Sequence, residues 1–335
     1  MPHKSETALL QRVARSAVRA LYAEVALEPK PGLVSFRDNG SHSDMQAATF
    51  FKSLFALRHY FGHMARAGAC GHPLEFLQAL GLGAEERMLM ATGGINTHRG
   101  AVFALGLLCA AAGRLMAQGA ARFGAGAEMP GQALLAPQDV RASLLSYWGV
   151  ELRLRADASL RAVPVSNGQR AVRRYGLRSA GEEAALGFPT LFEVTLPTLQ
   201  AALQNGHAQR AARVQALFAT MAVLDDTNTA HRGGMEGVQC VKGAARSFLD
   251  AGGVEQGDWV ERARAVHGVL VQQRLSPGGA ADVLACACWL QELGQGEPTA
   301  HSGAAPATAW ARAQPYAPSQ AVTAAPALPG LPVSA

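Results

Sequence analysis

The stretch SDMQAATFFKSLFALRHYFGHM, residues 43–64, sets Phe50, Leu54, Leu57, Phe61 and Met64 at steps of three and four. That period puts all five on one face of an α-helix, and Ser43 followed by Gln46 reads as a capping box at its start. The same period recurs along the chain. Asn96 caps a helix predicted from Thr97 to about Met116, and further helices are expected over Pro137–Leu154, Gln209–Leu224, Met235–Ala251 and Asp258–Gln273. Ser276 and Pro277 read as N-cap and first residue of a last helix ending near Gln291. Gly119–Gly131 and Val163–Gly168 read as loops. No stretch alternates with period two, so the expectation is an all-α fold, one compact multi-helix domain over residues 5–293.

Composition agrees. Of 335 residues, 49% are hydrophobic, 16% charged and 6% aromatic, which suits tightly packed, alanine-rich helices. Residues 294–335 differ: seven of the 17 prolines fall in the last 41 residues, among Ala, Ser, Thr and Gln, and a disordered tail is expected there. Five cysteines without a CxxC pair suggest neither a disulfide framework nor a zinc site. No secretory signal is seen at the N-terminus, and the longest apolar run, Ala101–Ala112, falls short of the ~20 residues of a membrane span, so a cytoplasmic protein is expected.

The net charge of +5 points to anionic partners. Apart from Arg170, Arg173, Arg174 and Arg178 the arginines are scattered, without the basic element and interleaved aromatics of a nucleic-acid binder; small polyphosphates fit better. Only four of the 30 basic residues are lysines, so each is worth placing.

Four Gly/Pro-rich segments at predicted helix ends carry polar groups beyond a loop's needs. In EVALEPKPGLVSF, residues 24–36, Glu24 ends the apolar stripe Val13, Ala17, Ala20 and must be paired, bound to a metal or shifted in pKa if buried. Lys30, between two prolines, suits a phosphate. In NGSHSDM, residues 39–45, Asp44 falls in the first turn of the next helix, where it can serve the dipole, and His42 can donate or carry a proton. In ATGGINTHRGAVF, residues 91–103, Gly93, Gly94 and Asn96 open a helix start with His98 and Arg99 beside it, a possible anion cradle without Walker or Rossmann spacing. The fourth group pairs LDDTNTAHRGG, residues 224–234, with LSPGGAADVLA, residues 275–285. Asp225 and Asp226 at a helix end oppose its dipole unless a cation such as Mg²⁺ neutralises them. Ser276, Gly278 and Gly279 open another helix start, with Asp282 one turn inside.

The strings EVALEPKPGLV, GSHSDM, ATGGINTHRGAVFALGLL, GEEAALGFPTLFEVTLPTL, LDDTNTAHRGG and LSPGGAADVLA, in this order, closely resemble triphosphoribosyl-dephospho-coenzyme A synthases. The resemblance covers about Leu21–Leu290. It departs at Ser35, where the family commonly has Asp, and at Gln46, often acidic there; Asp38 is the nearest replacement for the first. The resemblance implies that the 2′-hydroxyl of 3′-dephospho-CoA attacks the anomeric carbon of ATP, releasing adenine and keeping the triphosphate. The product would pass to a prosthetic-group transferase acting on the acyl carrier protein of malonate decarboxylase or citrate lyase. The arginine bias and the lack of a fused transferase domain favour the former. A homodimer is the base-rate expectation.

An oxocarbenium-like transition state needs nearby negative charge, a base for the hydroxyl and an acid for adenine. In this light Glu24, Asp44 and Asp282 are the candidate catalytic residues, with Asp44 or Asp282 favoured as base and Glu24 equally able to serve. Glu24, Asp225 and Asp226 are the candidate Mg²⁺ ligands. Lys30, His42, Gly93, Gly94, Asn96, His98, Arg99, Arg178, Arg232, Ser276, Gly278 and Gly279 would bind substrate phosphates. Glu182 and Glu183 would pair with the arginine cluster or join the metal. Two other readings of the same residues are a hydrolase of N-glycosidic bonds and a non-enzymatic helical binding protein.

Overall fold

The computed structural model describes residues 4–123 and 135–294, and among them every regular element is a helix. In order these are α1 (Lys4–Val25), α2 (Ala47–Leu57), α3 (Tyr60–Ala69), α4 (Leu74–Thr92), α5 (Arg99–Phe123), α6 (Pro137–Arg161), α7 (Asn167–Tyr175), α8 (Ala180–Ala185), α9 (Leu196–Gln204), α10 (Gln209–Val223), α11 (Thr227–Asp250), α12 (Trp259–Gln272) and α13 (Gly278–Gly294). A π-helical turn, Thr190–Thr195, leads into α9. The Thr195 hydroxyl satisfies the Thr190 carbonyl at 3.1 Å, inside the widened turn. The predicted tail, apart from Gly294, and residues 124–131 of the predicted loop lie outside the described residues.

The residues 43–64 form two helices, not one. α2 starts only at Ala47, where the Gln46 N–H donates to Thr49 Oγ1 at 3.2 Å, so Ser43 is not the cap. The chain turns at Arg58 and His59, and α3 begins at Tyr60. The apolar stripe is nevertheless real: Leu54, Leu57, Phe61 and Met64 are all buried. At 119–123 the predicted loop is the continuing helix α5. Met235–Ala251 is the second part of α11, which starts earlier and breaks at Gly234 (φ 63°, ψ −159°).

α13 is the hub. Ala280, Ala281 and Leu284–Leu290 are buried, and the helix packs on α1, α5, α9, α10 and α11. Trp289, fully buried, donates its indole N–H to the Val13 carbonyl at 3.1 Å and so fixes α1 along it. α5 is the other buried rod. Its stretch Arg99–Gly119 is long and apolar enough to cross a membrane, which corrects the expectation drawn from the shorter run; with 67% of the window buried by neighbouring helices, it reads as a core helix.

The closest helix pair is α3 against α5. A Cβ on Gly68 would stand 1.9 Å from the Ala110 carbonyl oxygen, and one on Gly113 1.9 Å from that of Ala65. Each contact is with backbone, which cannot rotate away, so only glycine fits. Gly113→Ala is expected to cost a net 1–3 kcal/mol, roughly the penalty of an overpacked core, despite alanine's helix propensity. A lower urea midpoint at unchanged slope is the readout; an unchanged midpoint would refute the close crossing.

Candidate active site

Four loops meet at the N-termini of α5, α11 and α13. The 26–46 loop is pinned first. Glu28 accepts from Arg264 (2.8 Å) and Arg210 (2.7 Å), with Arg37 at 3.9 Å. Burial alone would raise the Glu28 carboxyl, but the Arg264 hydrogen bond and the three arginine charges win, and it sits below its ordinary value. The Glu28–Pro29 bond is cis. His267 donates through Nδ1 to the Lys30 carbonyl at 3.1 Å and lies 3.3 Å from Asp38 through Nε2. Gly32, at φ +69°, lets the loop pass the Leu275 carbonyl oxygen, 2.3 Å from where a Cβ would stand. Ser41 Oγ donates to that same carbonyl at 2.6 Å.

Within this frame Glu24 and Lys30 are buried against each other. Lys30 Nζ donates to Glu24 Oε1 at 2.6 Å and to the Glu24 carbonyl at 3.0 Å. The carboxylate at the end of the apolar stripe is thus paired, as burial demands, and Lys30 is its partner rather than a free phosphate ligand.

Asp226 is the N-cap of α11. Its Oδ1 accepts from the N–H groups of Asn228 (2.9 Å) and Thr229 (3.0 Å), and its Oδ2 from Ala280 at 3.1 Å, with Gly279 also bonding. Burial pushes its carboxyl up, and these backbone bonds offset only part of that. The helix that follows begins at Thr227, so the acidic pair faces a positive dipole end and needs no metal to neutralise it. Asp225 is neutralised by Lys242, 2.5 Å away. Gly278 and Gly279 do open the α13 N-terminus, but for side chains of this protein. Added Cβ atoms would stand 2.9 Å from Asn228 Nδ2 and 2.9 Å from Asp226 Oδ2.

The Asp282 carboxyl group is buried, although the residue as a whole is half-buried. It lies against Gly100, where a Cβ would stand 2.0 Å from Oδ2, and accepts from the Ala101 N–H at the start of α5. Burial, then the charges of Glu24 and Asp226, push it well above the ordinary carboxylate range. The charges of Glu24 and Asp226 thus add to burial in favouring the protonated form of Asp282.

His98 is buried too, against Phe50 edge-on at 5.0 Å. Burial and then the Lys30 charge push its pKa down to about 3, so it is neutral and adds no charge to a phosphate site. Its Nδ1 pairs with Ser53 Oγ at 2.6 Å. His42 is likewise pushed down, by burial and then by Arg232, against the pull of Asp44. Arg232 donates to His42 Nδ1 at 3.0 Å, so the His42 proton sits on Nε2, which donates to Ser276 Oγ at 2.8 Å. Ser276 does not cap α13, since the first helical bonds are accepted by the Pro277 carbonyl.

The remaining candidates stand further out. Asp44 precedes α2 rather than lying in its first turn; it is exposed, 3.5 Å from His42. Gly93 ends α4 in the left-handed conformation and Gly94 follows at φ +87°, so the pair terminates a helix, and the next begins only at Arg99. Asn96 Oδ1 does cap, accepting from the Arg99 N–H at 3.2 Å, two residues later than expected. Arg99 pairs with Glu85, and Arg178 with Glu183 at 3.0 Å, both arginines still about half exposed. Glu183 also accepts from Thr190, and Glu182 caps α8 through the Ser179 N–H. Arg178 and Glu183 line one pocket with Thr190, Leu224 and Asp225.

Among the described residues no group of three or more His, Cys, Asp and Glu side chains could hold a metal ion. Glu24 is taken by Lys30, Asp225 by Lys242 and Asp226 by backbone amides. Reasoning from sequence missed Ser53, Glu28, Lys242 and His267. Ser53 was visible in principle, as a polar residue on the Phe50–Leu54–Leu57 stripe.

Asp226→Asn would turn one acceptor oxygen into an NH₂ facing a helix N-terminus. A loss of about 1–3 kcal/mol is expected from the unsatisfied N–H. The check is the urea midpoint, and a variant as stable as the parent would show that the cap does not join the two helices.

The family model for ATP:dephospho-CoA triphosphoribosyl transferase (CitG) matches residues 10–300. A protein of Stutzerimonas stutzeri named "Probable 2-(5''-triphosphoribosyl)-3'-dephosphocoenzyme-A synthase" is 40% identical over 288 residues, covering 84% of this chain and 92% of its own length. Proteins of the same name from Pseudomonas fluorescens (strain Pf-5) and Azotobacter vinelandii are each 38% identical, covering 86% and 85% of this chain and 94% and 92% of their own lengths. No solved structure matches. With the match running through every loop that builds the site, the chain belongs to the ATP:dephospho-CoA triphosphoribosyl transferase family.

Proposed function

We propose that this protein transfers the 5-triphosphoribosyl group of ATP to the ribose 2′-hydroxyl of 3′-dephospho-CoA and releases adenine. The observation that carries the reading is the Glu24–Asp226–Asp282 cluster, in which one carboxyl keeps its proton beside two that are held charged or hydrogen-bonded. The reaction breaks the C1′–N9 bond of ATP, the electron pair going to adenine, and forms a bond between C1′ and the acceptor oxygen. The hydroxyl proton leaves to a base, and adenine takes a proton from an acid.

Asp282 is the acid: it is protonated and confined at the start of α5. Sequence alone left it as a candidate base, and its surroundings reassign it. Glu24, fixed by Lys30, places negative charge near the anomeric carbon as positive charge develops there. Asp44, exposed at the rim, is the base for the acceptor hydroxyl. Arg232, Arg99 and Arg178, all at the surface, meet the polyphosphates. Mg²⁺ bound to ATP would screen the triphosphate charge. The product then serves a transferase that loads an acyl carrier protein, that of malonate decarboxylase being the favoured destination.

Purified protein with ATP, Mg²⁺ and dephospho-CoA should release adenine stoichiometrically with the coupled product, measured by chromatography. Adenine formed equally without acceptor would instead mark a hydrolase. Asp282→Asn should lower kcat by about 10²–10⁴-fold, the usual worth of one general acid. In the parent, activity should fall as rising pH strips the raised Asp282 proton, and that alkaline limb should be missing from the variant's residual rate.

A further inference from the structure

Ser53 and His98 form a buried pair whose far end, His98 Nε2, has no hydrogen-bond partner among the described residues. Ser53 is fully buried on α2, and its hydroxyl stands 2.6 Å from His98 Nδ1. His98 is only 2% exposed, its backbone N–H is directed to Met88 sulfur at 3.3 Å, and Phe50 packs edge-on against the ring. The ring therefore has little freedom to turn. Its Nε2 is buried with no hydrogen-bond partner among the described residues.

The tautomer follows from counting. The Ser53 hydroxyl needs an acceptor, and His98 Nδ1 is the one within reach. If the hydroxyl donates, Nδ1 carries the lone pair and a single group, Nε2–H, is left over. If Nδ1–H donates instead, both the serine proton and the Nε2 lone pair are orphaned. One unmet buried group costs less than two.

The surroundings of His98 are those of the carboxyl cluster. His98 is two residues before Gly100, against which the Asp282 carboxyl rests, and Lys30 beside it is bonded to Glu24. A phosphate would meet the carboxylates of this cluster. A neutral ring with in-plane lone pairs would meet a neutral donor and a protonated acid, which is what a departing purine requires.

We propose that Ser53 is a positioning residue that holds His98 in its Nε2–H form, and that this neutral N–H donates a hydrogen bond to a ring nitrogen of the leaving adenine. The inference rests on the transferase reading. As the C1′–N9 pair moves onto the base, its ring nitrogens become better acceptors, so the bond strengthens toward the transition state. Asp282 delivers its proton to a different ring nitrogen, and His98 keeps its own throughout.

Two measurements test this with the full-length protein. The first is ¹⁵N NMR of histidine-labelled protein without substrate, which should show His98 protonated on Nε2; protonation on Nδ1 would overturn the proposal whatever the enzyme does. The second compares Ser53→Ala and Ser53→Thr with the parent in acceptor-dependent adenine release. Ser53→Ala should lower kcat about tenfold with the KM for ATP within about twofold, and Ser53→Thr, which keeps the hydroxyl, should restore most of it. With 3-deaza-ATP or 7-deaza-ATP, whichever lacks the accepting nitrogen, the parent should slow and Ser53→Ala should add no further loss. A full Ser53→Ala penalty with both analogues, or an unchanged kcat with ATP, would overturn the proposal while leaving the transferase reading intact. Failure of the parent to release adenine would overturn both.

Discussion

The Asp226 carboxylate joins the N-termini of two helices, and the site depends on that junction. Its two oxygens accept backbone N–H groups from the first turns of α11 and α13. Each helix would otherwise present unpaired donors and a partial positive charge to the other. One buried anion satisfies both and brings the 224–228 and 275–279 turns together. Several site contacts hang from these turns: Ser276 meets His42, Thr229 donates to the Ser276 carbonyl at 3.3 Å, and Asp282 sits one turn further along α13. The glycines at 278 and 279 are the spatial condition for that contact.

Charge burial explains why the neighbouring groups look as they do. Glu24 and Lys30 are both almost fully buried, and a pair of this kind gains little stability over an apolar one. Its effect is positional. Lys30 reaches back to its own helix end and draws the Pro-flanked loop over the cluster, while Glu28 is clamped by arginines from α10 and α12 on the outside. Asp282, next to this pair, is pushed well above the ordinary carboxylate range by its own burial first and by the charges of Glu24 and Asp226 after it.

Much of this was legible in the residues, though unevenly. The all-helical fold followed from periodicity, yet α4 escaped notice because Phe76, Leu82 and Met90 are exposed and blur its pattern. Glu24 was conspicuous as a carboxylate ending an apolar stripe, and its burial agrees. Its partner was not readable, since Lys30 lies six residues on, across two prolines whose turn no local rule supplies. Asp225 and Asp226 were placed at the C-terminal end of α10, where periodicity stops; the next helix starts one residue later, which reverses the sign of the dipole they meet. Gly278 and Gly279 were less readable, because a gap left for a ligand and a gap left for a side chain look the same in one dimension, and here Asn228 and Asp226 lie against it. Ser53 was lost among five apolar neighbours.

The confinement of the Asp282 carboxyl against Gly100 has a consequence for the fate of the product. In the proposed reaction both substrates contain adenosine, and the coupled product still carries one purine on its ribose. An acid open to solvent or free to swing could depurinate either nucleotide. Held against the Gly100 backbone at one helix start, the proton is available to a base seated in a single position, and the adenine of the acceptor survives the encounter. Selectivity between two identical leaving groups then comes from where a proton is kept, with no need to recognise the bases as different.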